Sequence, residues 1–264
     1  MNSNFTEKLN AMLHQCYGTD DALKSSFDLP SDGQYDMVVL SPIWNPYDIM
    51  KTDEVEIECL KNRNTTSSYL LHYGEQTIAW IRTGAGAGNV VDACLSMVKN
   101  NCGKILFLGT CNALKEDLSV GDLVVPNKAI SGTGATRYLL DAMDGDPTFL
   151  KERRTPPKGI LWLSKAAIKV GSKLNTRTVF STDSLMGALL HLNEIEETGA
   201  DVVDMEATAF TRCMSLLEKP GVALLTVAGN TGRHSTMARI YPENDPRMKK
   251  TQEETLSQII LNLL

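Results

Sequence analysis

Short apolar runs separated by helix-length segments constrain this chain more than any other feature of its sequence. DMVVLSP (36–42), SYLLHY (68–73), TIAWIRTG (77–84), KILFLGT (104–110), DLVVPN (122–127), RTVFST (177–182), DVVDM (201–205) and VALLTVAG (222–229) are rich in Val, Ile and Leu. Several are apolar at consecutive positions, which suits strands covered by helices on both faces. Three helices are expected among them. Asn89 to Asn100 places Val90, Val91, Cys94, Met97 and Val98 on one stripe, with Asn89 as its N-cap. Glu206 to Leu217 aligns Phe210, Cys213, Met214 and Leu217 and stops before Pro220-Gly221. A C-terminal helix from about Pro246 turns Leu256, Ile259, Ile260 and Leu263 inward. Strands alternating with helices specify a layered α/β fold. The polar segments 18–35 and 141–158 read as surface loops, and the second, with paired prolines, is long enough for a lid or a subunit contact.

The 264 residues can build one sizeable core without metals or disulfides, and the chain reads as a single domain over 1–264. With 26 Lys+Arg against 32 Asp+Glu the net charge is −6. That balance disfavours nucleic acid and anionic membranes as partners, because phosphate contacts need clustered cations. The dense basic runs, KERR at 151–154 and RMKK at 247–250, are short. No stretch approaches the roughly 18 consecutive apolar residues of a membrane span. MNSNFTEKLNAML lacks the basic region and apolar core of a secretory signal, so a cytoplasmic protein is expected. Its six cysteines form no CxxC pair and read as reduced structural thiols. His14, His72, His191 and His234 lack ligand spacing, so no metal is expected.

Three motifs carry chemistry. In Thr83-Gly84-Ala85-Gly86-Ala87-Gly88-Asn89, alternate glycines let the backbone turn tightly between a strand and a helix and approach a ligand closely. The helix start behind them offers free N–H groups to an anion. A dinucleotide fingerprint needs glycine at position 89, where this chain has Asn; a turn with a purely structural role is the other reading. In LFLGTCNALKEDLSVGDLVVP (106–126), a strand is expected to end at Gly109-Thr110, with an irregular stretch before the next. Thr110 there is a turn residue or a ligand contact. In Val203-Asp204-Met205-Glu206-Ala207, a strand end sets two carboxylates beside a helix start. A buried Glu needs partners, and sugar hydroxyls are suitable donors; a first-turn carboxylate favoured by the helix dipole is the alternative.

In this order, and with VFSTDS (179–184) and the strand VALLTVAG, these segments resemble the nucleoside phosphorylase family. That family includes hexameric purine nucleoside phosphorylase, uridine phosphorylase and methylthioadenosine/adenosylhomocysteine nucleosidase. The resemblance runs from about Asp36 to the C-terminus. It implies a three-layer α/β/α sandwich with a mixed, partly barrel-like central sheet, assembled as a homo-oligomer, either a dimer or a hexamer. It also implies an enzyme, a pentosyltransferase that cleaves the N-ribosidic bond of a purine or pyrimidine nucleoside through a ribosyl-cation-like transition state. A phosphate-independent nucleosidase, or a catalytically impaired nucleoside binder, is the alternative. No cofactor is implied beyond inorganic phosphate as co-substrate of a phosphorylase.

Residue by residue, the resemblance places Gly84, Gly86, Gly88 and Thr110 beside the nucleophile. Met205, Glu206 and Asp204 fall at the ribose, and Leu185, Met186, Gly229 and Asn230 at the base. Glu206, Asp183 and Asn230 are the catalytic candidates. Departures accompany the matches. Phosphorolytic members carry an Arg where this chain has Phe107, and Phe cannot pair with a dianion. Their Gly-Asp-Pro turn with a following Arg is replaced by Ser41-Pro42-Ile43-Trp44-Asn45-Pro46. The Ser-Asp pair that serves purines becomes Ala228-Gly229, followed by Asn230, which hydrogen-bonds a base edge without supplying a proton. Arg233 and His234 are substitute donors or solvated loop residues.

Overall fold

A computed structural model describes residues 3–18, 21–139, 148–231 and 245–264. Among them, ten strands form one sheet: β1 (Met37–Ser41), β2 (Glu56–Asn62), β3 (Ser67–Tyr73), β4 (Gln76–Arg82), β5 (Ile105–Ala113), β6 (Leu123–Gly132), β7 (Glu152–Arg154), β8 (Leu174–Thr182), β9 (Val202–Asp204) and β10 (Gly221–Asn230). Helices α1 (Ser3–Tyr17), α2 (Ala22–Phe27) and α3 (Pro46–Ile49) lie in the first quarter. They are followed by α4 (Ala87–Ser96), α5 (Pro157–Lys169), α6 (Leu185–Ala188), α7 (Leu192–Glu197) and α8 (Ala207–Leu216). α9 (Pro246–Lys250) runs through a π-helical turn at Thr251–Thr255 into α10 (Leu256–Leu263).

The sheet is mixed and closes on one side. Strand order β10-β6-β8-β9-β5, completed by a direct β10–β5 pairing, makes a five-stranded ring, and β1-β4-β3-β2 continues outward from β5. β5 is the pivot: its first half pairs with β1 and its end with β9, while β10 runs parallel along its other edge.

Alternation along the strands builds two cores. In β1, Val38 and Leu40 join α4 and α8 residues such as Val90, Cys94, Phe210 and Cys213, whereas Met37 and Val39 join Leu163, Ile259 and Ile260 from α5 and α10. A period of two on a sheet clothed on both faces gives this result, and the three layers follow. The apolar runs of the sequence map onto eight of the strands.

Several local expectations give way. Asn89 does not cap α4: Gly86, in the left-handed region at φ 101, holds that position, and Asn89 donates from Nδ2 to the Ala85 carbonyl at 2.7 Å. The segment 18–35 is more than a loop, because α2 buries Leu23 and Phe27 there. Asp21 caps that helix by accepting from Lys24 N–H, and six residues are too few to display a period. β5 does not end at Gly109-Thr110 but continues to Ala113, since β9 and β10 extend the ladder on both edges. Of the segment 141–158, β7 and the start of α5 are ordered elements, and 141–147 lies outside the described residues. β2, with the sequence EIECLKN on the sheet's outer edge, carries too many polar residues to stand out as apolar.

Candidate active site

Two chain reversals meet at one pocket. The first is the glycine turn after β4. Gly84 and Gly86 take φ of 80 and 101, a region L side chains avoid, so both need glycine. Gly88 lies within the first turn of α4 and takes no such angle. The second reversal is Asp204-Met205-Glu206, from the end of β9 into α8. It brings the Glu206 carboxylate against the glycine turn, where Oε1 accepts the Gly86 N–H at 2.7 Å.

Glu206 is only 6% exposed. It sits at the N-terminal ends of both α4 and α8, where helix dipoles and N–H groups favour an anion. Burial and the nearby Asp204 carboxylate nevertheless outweigh those hydrogen bonds and push its pKa up to about 8. Burial likewise raises Asp204 to about 6, against the hydrogen bonds it accepts.

Asp204 accepts three hydrogen bonds within the chain. Its Oδ1 accepts the Ser181 hydroxyl at 2.5 Å, and its Oδ2 accepts the N–H groups of Glu206 at 3.2 Å and Ala207 at 2.7 Å. Ser181 in turn accepts the Thr208 N–H at 3.0 Å. These bonds tie β8 and β9 to the first turn of α8 and so fix where Glu206 points. Asp204 also borders the pocket beside Glu206.

Thr110, Met205 and Glu206 line the pocket together with Ala85, Leu185 and Asn112. Pro42, Ile43, Cys111, Val203, Asp204 and Ala228 complete it, so no Lys, Arg or His contributes among the described residues. The pocket encloses about 60 Å³, room for a water or two. Ile43, Leu185 and the flexible Met205 form apolar walls of the pocket that lie outside the sheet.

A family model described as the phosphorylase superfamily matches residues 39–264. The chain belongs to that family. The DeoD-type purine nucleoside phosphorylase of Brevibacillus brevis is 23% identical to it over 173 residues, 65% of this chain and 71% of that protein. Among solved structures, the Campylobacter jejuni 5′-methylthioadenosine/S-adenosyl homocysteine nucleosidase superposes with a TM-score of 0.70 at 15% identity, covering 87% of this chain and 98% of that one. The Toxoplasma gondii purine nucleoside phosphorylase, in complex with immucillin-H, gives 0.69 at 19% identity over 89% and 92% of the two chains. The AMP nucleosidase of Bacteroides thetaiotaomicron gives 0.65 at 16% identity over 84% and 89%. At these identities the superpositions establish the fold, a three-layer sandwich shared by phosphorylases and nucleosidases.

Within this phosphorylase-superfamily fold, the remaining site candidates scatter. Leu185, on α6, reaches the pocket. Met186, its neighbour, is 73% exposed and faces away. Asp183 accepts the Gly134 N–H at 2.7 Å and borders a separate, larger cavity of about 490 Å³ walled by Phe149, Leu150 and Leu190. Gly229 pairs with Asn112, and the bulge before it leaves Ala228 unpaired in β10, where Ala228 lines the pocket. Asn230 is buried and donates from Nδ2 to the carbonyls of Lys115 (2.9 Å) and Leu118 (2.6 Å), which fastens the loop after β5. Phe107 is wholly buried and stacks on Phe210 with centroids 5.3 Å apart, so that position belongs to the core. Arg233 and His234 lie outside the described residues. Asn112 escaped the sequence reading; its signal was a polar residue in a strand-forming run, where asparagine is disfavoured. The described residues hold no cluster of three His, Cys, Asp or Glu suited to a metal, and none of their helices is long and apolar enough to cross a membrane.

Proposed function

We propose that this chain breaks the N-ribosidic bond of a nucleoside at the pocket centred on Glu206, with water as the favoured nucleophile. The observation that carries this reading is the buried Glu206 carboxyl held against Gly86 N–H at the meeting point of two helix starts. In that position its ionised form accepts hydrogen bonds from the ribose 2′ and 3′ hydroxyls and opposes positive charge developing at C1′. Charge that is fixed before the reaction costs no reorganisation when the bond breaks. Met205 packs on the pentose, Thr110 orients the nucleophile, and Asp204 is a positioning residue for Glu206.

Two features favour water over phosphate. Position 107 is a core phenylalanine, and the described lining contains two carboxylates and no cation. A dianion beside two acids without a counter-charge is strongly disfavoured. Phosphorolysis is the second reading, supported by the retained glycine turn and by the similarity to the Brevibacillus phosphorylase. The exposed Phe149, Leu150 and Leu190 around the neighbouring cavity support self-association into a homo-oligomer.

Incubation with a panel of purine and pyrimidine nucleosides, with and without phosphate, tests the reading. Free base plus ribose at a rate indifferent to phosphate is the expected result. Ribose 1-phosphate would establish phosphorolysis, and saturable binding without release of base would show a nucleoside-binding protein instead of an enzyme.

A further inference from the structure

Four asparagines are fully buried among the described residues, and three of them have plain structural duties. Asn100 donates from Nδ2 to the Ser31 carbonyl, Asn175 to that of Leu123, and Asn230 to those of Lys115 and Leu118. Asn112 is the exception. It is 4% exposed, its Oδ1 has no hydrogen-bond partner, and it lines the Glu206 pocket. A buried carbonyl left unpaired costs about 1–3 kcal/mol, and native proteins keep few of them. The backbone there is held on both edges, opposite Val203 in β9 and Gly229 in β10, so the strand cannot shift to relieve it.

The position along β5 assigns the group a direction. Thr110 and Asn112 are two residues apart and face the same side, which separates them by about 6.6 Å along the strand. The family resemblance sets Thr110 beside the nucleophile and Leu185 beside the base. Asn112 lies opposite Val203, and Leu185 packs against the cluster that holds Val203, so Asn112 is on the side where the departing group of a nucleoside would sit.

We infer that Asn112 reads the edge of the leaving base, its Oδ1 accepting an N–H from the ring or its amino group while Nδ2 donates to the adjacent lone pair. This rests on the ribosyl-cleaving reading for the orientation of the nucleoside. The substrate class is a nucleoside whose base presents an N–H beside an acceptor, as 6-aminopurines, 6-oxopurines and uracil do. A bare purine ring substituted at N9 has no N–H and leaves the carbonyl unpaired. Sites built around a buried polar group reject such analogues far more strongly than apolar pockets do.

The test uses uncleavable probes in which a methyl group stands for the sugar: 9-methyladenine, 9-methylhypoxanthine, 1-methyluracil and the donor-free 9-methylpurine. Their dissociation constants are measured by calorimetry on the full chain and on Asn112→Ala and Asn112→Leu. The wild type is expected to prefer at least one N–H-bearing base over 9-methylpurine by about tenfold or more. Both variants should lose that preference while binding 9-methylpurine within about twofold of wild type. The leucine variant, relieved of an unpaired buried carbonyl, should melt no lower than wild type, so misfolding cannot mimic the result. Absence of a preference in the wild type, absence of binding, or a preference that survives in both variants overturns the inference. Cleavage of nucleosides, scored separately, judges the enzymatic reading. A chain that shows the preference but releases no base keeps the base reader and loses the enzyme, and one that cleaves with selectivity unchanged in Asn112→Ala does the reverse.

Discussion

The proposed sugar end and the proposed base end of the pocket are built on opposite plans. Around Glu206 each carboxylate is tied down: Oε1 to Gly86, and both oxygens of Asp204 to Ser181 and the first turn of α8. At the base end, two of the residues the family resemblance nominates serve elsewhere. Asn230 fastens a loop and Met186 faces solvent, while Leu185 lines the pocket and Asn112 leaves its Oδ1 unpaired there. Charge to be met in a transition state demands groups fixed before the reaction. Recognition of one base rather than another demands a buried group whose partner arrives with the ligand. Preorganisation at one end and an unfilled hydrogen bond at the other are the expected marks of those two tasks.

The sharpest way to break this contrast is at Glu206. Glu206→Gln should lower ribosyl cleavage by about 10²–10³-fold, with an unchanged far-ultraviolet dichroism spectrum. Wild-type turnover in this variant would remove the sugar end from the comparison altogether.

Next in size is the base end. Asn230→Ala frees the carbonyls of Lys115 and Leu118 and should cost about 1–3 kcal/mol in denaturant unfolding. Met186→Ala should stay within about 0.5 kcal/mol. Neither should alter which base is preferred, and a changed base preference in either would return that residue to the site.

The remaining effect is the most specific to how Asp204 and Glu206 interact. The folded pKa of Glu206, about 8, lies above its ordinary value of 4.5, so the folded protein holds the extra proton between those values. The stabilisation this gives is complete below pH 4.5 and is lost as pH rises through about 8. Thermal melts of the wild type should therefore decline across that window, and Glu206→Gln should flatten the decline. With the anion as the active form, kcat/KM should fall on the acid side of about pH 8. Asp204→Asn removes the neighbouring negative charge and should move that limb toward lower pH. An unmoved limb would mean that Asp204 does not act through Glu206.

Much of the scaffold was legible along the chain. Eight apolar runs became strands, and the helices beginning near Gly86, Ala207 and Pro246 fell within a few residues of their expected places, because burial on both faces writes itself as local composition. Edge strand β2 and six-residue α2 were not legible, one too polar and the other too short to show a period. The glycine turn and the Asp-Met-Glu reversal could each be recognised as unusual, since positive φ and paired acids leave a mark on single residues. That the two touch, 120 positions apart, could not.

The sequence by itself determined the layered α/β architecture and the acid on which the site depends, for periodicity and residue type are local properties. Only the tertiary structure decided which polar groups are spent and which are free. A hydrogen bond is a pairing between distant segments, and whether Asn230 or Asn112 lines the pocket depends on where a bulge falls in β10 and how far β5 runs, neither of which is encoded at the residue concerned.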